Sequence, residues 1–157
     1  MSAVLDVYNK CTGFPFGKIL FSKLVCFKAP YFSTIKPRFT ELRPGYGEIY
    51  MSNRRSVQNH LKSVHALAMR NLCELVAGTT LDATLPVNMR WIPKSMNIEY
   101  LRIAKTGLKA VCEISNTVWN EKKDVPVTVS VTDAHGAEVV RATIQMHVSI
   151  KKMSDNS

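Results

Sequence analysis

One carboxylate in this chain stands where a carboxylate needs a reason. Glu74 falls within the run Asn59–Gly78, which has a polar entry and then a segment rich in Leu, Ala, Met and Glu, all strong helix formers. With Ala68 at the centre of a helical wheel, Leu72, Leu75, Val76 and Thr79 share its side. Met69, Cys73, Ala66 and Ala77 extend the apolar surface, which leaves a narrow polar arc of Arg70, Asn71 and Glu74. A helix apolar on nearly every side is a buried one. Two readings of Glu74 are open at this point. It pairs at the surface with Arg70 one turn earlier, or it is sheltered in a cleft and poised as a base. Gly78 reads as the C-terminal stop of the helix.

The elements around this helix must position it. Residues 3–28 read as a helical segment in which Phe16, Ile19, Leu20, Leu24 and Phe27 form one face among lysines. A basic helix with aromatics can lie on a membrane, but packing of that face against its own domain is the preferred expectation. Ala29-Pro30 ends it. A strand over Phe32–Leu42, broken by Pro37, and a short one over Glu48–Met51 form a hairpin across Arg43-Pro44-Gly45-Tyr46-Gly47. Beyond the helix, strands are expected at Met96–Ile103 and Lys109–Ser115. Two further segments then alternate strictly, Val125 to Thr132 and Val140 to Ile150. A period of two means one buried face, as in an antiparallel sheet. Such a sheet has one face to cover, and the helix has apolar surface on almost every side. The expected architecture is therefore α+β, an antiparallel sheet wrapped around a long central helix with an extra N-terminal helix: the hotdog fold.

At 157 residues and 17.6 kDa the chain suits a single domain, residues 1–157, with an N-terminal extension (1–28) and a loose polar tail (152–157). A hydrophobic share of 46% and a mean hydropathy near zero exclude a disordered class, and no apolar run is long enough to span a bilayer. Asp6 and the early lysines argue against a cleavable secretory signal. Four cysteines without a C-x-x-C pair suggest free thiols in a reducing, cytoplasmic setting. The net charge of +9 favours anionic partners, although no nucleic-acid motif is present and no nucleic acid is expected as partner. No two histidines show metal-ligand spacing, so no metal is expected. Ser63 lacks a G-x-S-x-G elbow.

The stretch Asn59…His65-Ala66…Glu74, with six residues from Asn to His and nine from His to Glu, resembles the hotdog thioesterases of the phenylacetate-pathway type. The wider context resembles more closely an uncharacterised hotdog family grouped with the thioesterases (domain of unknown function 4442). The segments Gly17–Ser22, Lys28–Phe32, Glu41–Tyr46 and Asn59-His60…Val64-His65-Ala66 carry that likeness. It implies an acyl-CoA or acyl-carrier-protein thioester hydrolase, with coenzyme A only as part of the substrate and no further cofactor. By the same resemblance the Ala66 backbone N–H, at a helix start, receives the oxyanion. Glu74 activates water or attacks directly, and Asn59 orients water or thioester. His65 touches the carbonyl or caps the loop, two options of equal weight. In relatives the carboxylate and the oxyanion donor come from different subunits, which implies a homodimer or a tetramer. Arg90 and Lys94, with Lys105 and Lys109, are candidate partners for coenzyme A phosphates. His60 and His147 read as surface or satisfied polar residues. Two departures stand out: Ala66-Leu67 replaces the Gly-Gly that usually follows the His, and Glu replaces the Asp that many relatives use. The alternative reading is a non-catalytic acyl-thioester or partner-binding module on the same fold. A dehydratase is disfavoured because no His-Phe-Pro-Gly type segment exists. Contact with a membrane is not expected.

Overall fold

The computed structural model describes residues 2–115, 119 and 121–151; the tail expected at 152–157 lies outside them. Two helices open the chain, α1 (Ala3–Thr12) and α2 (Gly17–Lys28), and a 3₁₀ turn follows over Pro30–Ile35. A hairpin of β1 (Arg38–Arg43) and β2 (Tyr46–Met51) leads through a second short turn, Arg55–Val57, into α3 (Ala66–Thr84). The remaining strands are β3 (Met89–Tyr100), β4 (Leu108–Glu113), β5 (Lys123–Thr132) and β6 (Glu138–Ile150). All six form one antiparallel sheet in the order β1-β2-β4-β5-β6-β3.

Helix α3 touches every strand, so the sheet curls about it. Leu72, Val76 and Leu81 on the helix are fully buried, as are Ile49, Leu108, Val129 and Ile144 on the sheet. Each such side chain contributes about 1.5–3 kcal/mol by leaving water. This is the hotdog arrangement that the alternation and the apolar helix imply.

Several expected boundaries moved, each for a local reason. The helix over 3–28 is two helices, because Pro15 intervenes and Phe16 adopts a left-handed φ of 63°. The strand expected from Phe32 begins only at Arg38. Ser33 and Thr34 donate their hydroxyls back to the carbonyls of Pro30 and Tyr31, which favours a tight turn over extension. Strand β3 starts seven residues earlier than expected and ends three earlier. It carries Pro93 at a register shift, a position open to proline because β3 is an edge. Pro126 is also tolerated, since β5 pairs with β4 only from Thr128 onward.

Gly78 does not stop α3, which runs on to Thr84. A Cβ at Gly78 would lie 2.7 Å from Cη2 of Trp91, so the glycine admits the indole against the helix backbone. The α2 face also differs from expectation. Gly17, Phe21 and Ser22 point inward, whereas Phe16, Ile19, Leu20, Leu24 and Phe27 face solvent, Phe16 and Phe27 at 81% and 88% exposure. The sequence places apolar residues on both sides of α2, so periodicity alone favoured the wrong side.

The two edges of the sheet are treated differently. Along β1, the Ser22 hydroxyl accepts the Phe39 N–H at 2.9 Å, and the Lys18 ammonium donates to the Thr40 carbonyl. Helix α2 therefore closes that edge. Along β3 no strand pairs with the outer side among the described residues.

Candidate functional site at the start of helix α3

A short loop fixes where α3 begins. Val64 N–H donates to the Ala104 carbonyl and His65 N–H to that of Val57, both at 2.8 Å. Asn59 staples the loop internally. Its Oδ1 accepts the N–H groups of Leu61 (2.9 Å) and Ser63 (3.2 Å), while its Nδ2 donates to the Ser63 hydroxyl at 2.9 Å. One Nδ2 hydrogen remains after these contacts.

His65 is the N-cap, and its Nδ1 accepts the Leu67 N–H at 3.1 Å. That contact caps the start of the helix. Ala68 and Met69 donate to the His65 carbonyl. That accounts for every N–H of the first turn except one: Ala66 N–H has no acceptor among the described residues. It opens beside a cavity of about 370 Å³ shared with Asn59, Met69, Tyr100 and Ile103. A free N–H at the positive end of a 19-residue helix is suited to a developing negative oxygen.

Glu74 follows eight residues later, about 12 Å along the helix axis. It is half-buried and makes no hydrogen bond or ion pair among the described residues, so the surface pair with Arg70 does not form. Its carboxylate stands between two hollows. One is a cleft of about 190 Å³ with Arg70, Lys94 and Met96. The other is an apolar cavity of about 370 Å³ roofed by α1 and α2, with Val4, Val25, Phe32, Leu75 and Trp91 in its wall. Within one chain, Asn59 and Ala66 share a cavity and Glu74 does not join them. His65 faces the other side of the helix start, toward Tyr31, Thr34 and Leu67.

Lys94 reaches Glu74's cleft but pairs at 2.7 Å with Asp124, which also bonds His147 Nδ1. The hydrogen bonds from Lys94 and then His147 hold the Asp124 carboxyl below its usual range. Arg90 opens β3, opposite Ser149, far along the strand from Ala66. Lys105 and Lys109 lie elsewhere, Lys109 near Glu48 at 3.7 Å. The thiols of Cys73 and Cys112 are pushed up to about 12 by burial, which leaves them inert as nucleophiles. Among the described residues no three His, Cys, Asp or Glu side chains gather to hold a metal.

Two residues absent from the sequence reading belong to this region. The Tyr100 hydroxyl donates to the Ala66 carbonyl at 3.3 Å, tying the end of β3 to the helix start. Asp82 accepts the Trp91 indole N–H at 2.7 Å. Burial raises its carboxyl above the usual value, and the indole bond and the charges of Lys28 and Lys151 offset only part of that. Glu74, Gly78 and Asp82 follow at i, i+4 and i+8, one ridge of the helix, with Trp91 over its middle. That spacing was visible in the sequence, but ending the helix at Gly78 hid it.

A six-stranded antiparallel sheet curled about one long central helix defines the hotdog class of protein. Solved structures agree. A Pseudomonas aeruginosa protein, described as of unknown function and a probable thioesterase, matches at 19% identity over 88% of this chain and 97% of its own, with a TM-score of 0.75. A thioesterase from Haemophilus influenzae matches at 12% identity over 85% and 91%, TM-score 0.72. A structural-genomics protein is 43% identical over 83% of this chain and 88% of that one, TM-score 0.78. The chain belongs to the family described as a domain of unknown function, DUF4442, whose model matches residues 17–148. No curated protein matches it.

Proposed function

We propose that the protein hydrolyses acyl thioesters of coenzyme A or acyl-carrier protein, as a homodimer in which each site combines residues of two subunits. The observation that carries this reading is the pair on α3: an Ala66 N–H without an acceptor and a half-buried Glu74 without a partner. Each is an unmet polar group facing a cavity, and thioester hydrolysis needs both.

The open edge of β3 supplies the means of joining them. Glu74's cleft is lined by residues 93–96, and the Ala66 cavity by residues 100–104. Antiparallel pairing of two β3 edges in the register that sets Met96 against the partner's Tyr100 brings one chain's Glu74 to the other's Ala66. The same register puts Lys94 beside the partner's Arg102, a cationic rim suited to coenzyme A phosphates, with Arg90 farther along the strand.

The chemistry then follows. The thioester carbonyl accepts the Ala66 N–H. Glu74 takes a proton from water as the water oxygen attacks the carbonyl carbon. The tetrahedral oxyanion keeps its bond to Ala66 N–H and the helix dipole. When the C–S bond breaks, Glu74 returns the proton to the leaving sulfur. The acyl chain extends into the apolar cavity under α1 and α2.

Thiol release from acyl-CoA tests this. Glu74→Gln keeps shape but removes the base, and its rate is expected to fall by about 10²–10⁴. Ala66→Pro removes the amide hydrogen and sets the ring Cδ in its place, so no donor is left for the oxyanion. Proline is well tolerated as the first residue of a helix, and His65 already has the extended backbone a pre-proline residue prefers (φ −67°, ψ 139°). A loss of about 10²–10³ is expected while the fold persists. Full activity in both variants would remove the proposal. A non-catalytic acyl-thioester binder is the second reading, favoured by the commitment of Asn59 Oδ1 to its own loop. Tight acyl-CoA binding without turnover in the wild type would establish it.

A further inference from the structure

The outer face of α2 carries an arrangement that the hydrolytic site does not use. Phe16, Ile19, Leu20, Leu24 and Phe27 project from one side of this 12-residue helix and its N-cap, all five exposed. Isolated exposed apolar residues are ordinary; a contiguous row of this length marks a contact surface. Beside it lies a cavity of about 460 Å³ whose wall includes Ile19 and three cations, Lys23, Lys36 and Arg38. No carboxylate pairs with any of the three among the described residues. Residues 1–36 hold five lysines (10, 18, 23, 28 and 36) against one acid, Asp6.

We propose that this face docks on an anionic lipid bilayer, with the apolar row of α2 in the headgroup boundary and lipid phosphates at Lys23, Lys36 and Arg38. The expectation of no membrane contact rested on the apolar face of α2 packing inward, and the structure turns that face outward. Among the described residues no helix is long and apolar enough to cross a bilayer, so the helix lies in the interface plane. A second copy of the chain is the poorer occupant, because it would set the same unpaired cations against each other. A bilayer offers apolar depth and negative charge together, and it needs no groove to receive protruding rings.

The test is flotation of the full chain with vesicles of phosphatidylcholine alone and of phosphatidylcholine mixed with phosphatidylglycerol. Binding is expected only to the mixed vesicles, weakening as salt rises. Phe16→Asn with Phe27→Ser removes apolar depth without harming the fold, since Asn suits both the left-handed backbone and the cap position of residue 16. Lys23→Glu with Lys36→Glu reverses the charge. Each pair is expected to lower vesicle binding at least tenfold, with solution mass and turnover of a water-soluble thioester unchanged. Three outcomes overturn the proposal: failure to float with anionic vesicles, flotation indifferent to the Phe pair, or a Phe pair that lowers the solution mass while vesicle binding persists. The last assigns the face to a second copy. Vesicle binding is read independently of hydrolysis, so the two proposals fail separately.

Discussion

Asp82 illustrates how a single side chain takes its chemistry from packing. An aspartate ordinarily titrates near 3.8. Here burial favours the neutral form, and its folded value lies above the unfolded one. Between those two values the folded state binds the extra proton, so stability falls as pH rises through the folded value. Above it the ionised carboxyl is a standing cost. Asp82→Asn retains an oxygen for the Trp91 indole and removes the charge. At neutral pH the variant is expected to match or exceed the wild type in urea midpoint. Its advantage should shrink as pH is lowered toward 3.8. A variant less stable than the wild type at every pH would show that the ionised carboxylate is stabilising. Ala66 and Glu74 differ from Asp82 in kind: the fold gives Asp82 a partner and leaves those two without one.

At the scale of the element, α2 acts as an edge guard. The Ser22 hydroxyl donates to the Lys18 carbonyl at 2.7 Å and accepts the buried Phe39 N–H. Ser22→Ala leaves that N–H buried without an acceptor, and a loss of about 1–3 kcal/mol is expected from chemical denaturation. A change within a few tenths would mean that β1 relaxes to reach water. An unguarded β1 would be open to edge pairing; with α2 across it, β3 is the edge of the sheet left open among the described residues. Helix α3 shows the complementary economy. The gap at Gly78 that admits Trp91 lets the helix run two turns further than its glycine suggests.

At the scale of the whole molecule, the site is proposed to be complete only in a pair of chains. Mixing Glu74→Gln with Ala66→Pro after joint unfolding and refolding tests this. Heterodimers would carry one intact site, built from the Glu74 of one chain and the Ala66 of the other. About a quarter of wild-type activity is expected from an equal mixture of two nearly inactive proteins. No recovery in a mixture shown to contain heterodimers would place both residues of a site in one subunit.

The chain reveals some of this before it folds. The alternation in β5 and β6, the apolar girth of α3 and the spacing Asn59–His65–Glu74 are local patterns, and local patterns follow from backbone geometry. They determined the fold class, the central helix and the candidate residues. Other features depend on neighbours distant in sequence. Trp91 decides that Gly78 continues a helix, Phe39 and Thr40 decide which face of α2 turns inward, and Ala104 decides where α3 begins. The one unspent N–H of Ala66 emerges only after His65 has taken its neighbours. Burial and hydrogen-bond completion are properties of the packed chain, so the tertiary structure alone decides them.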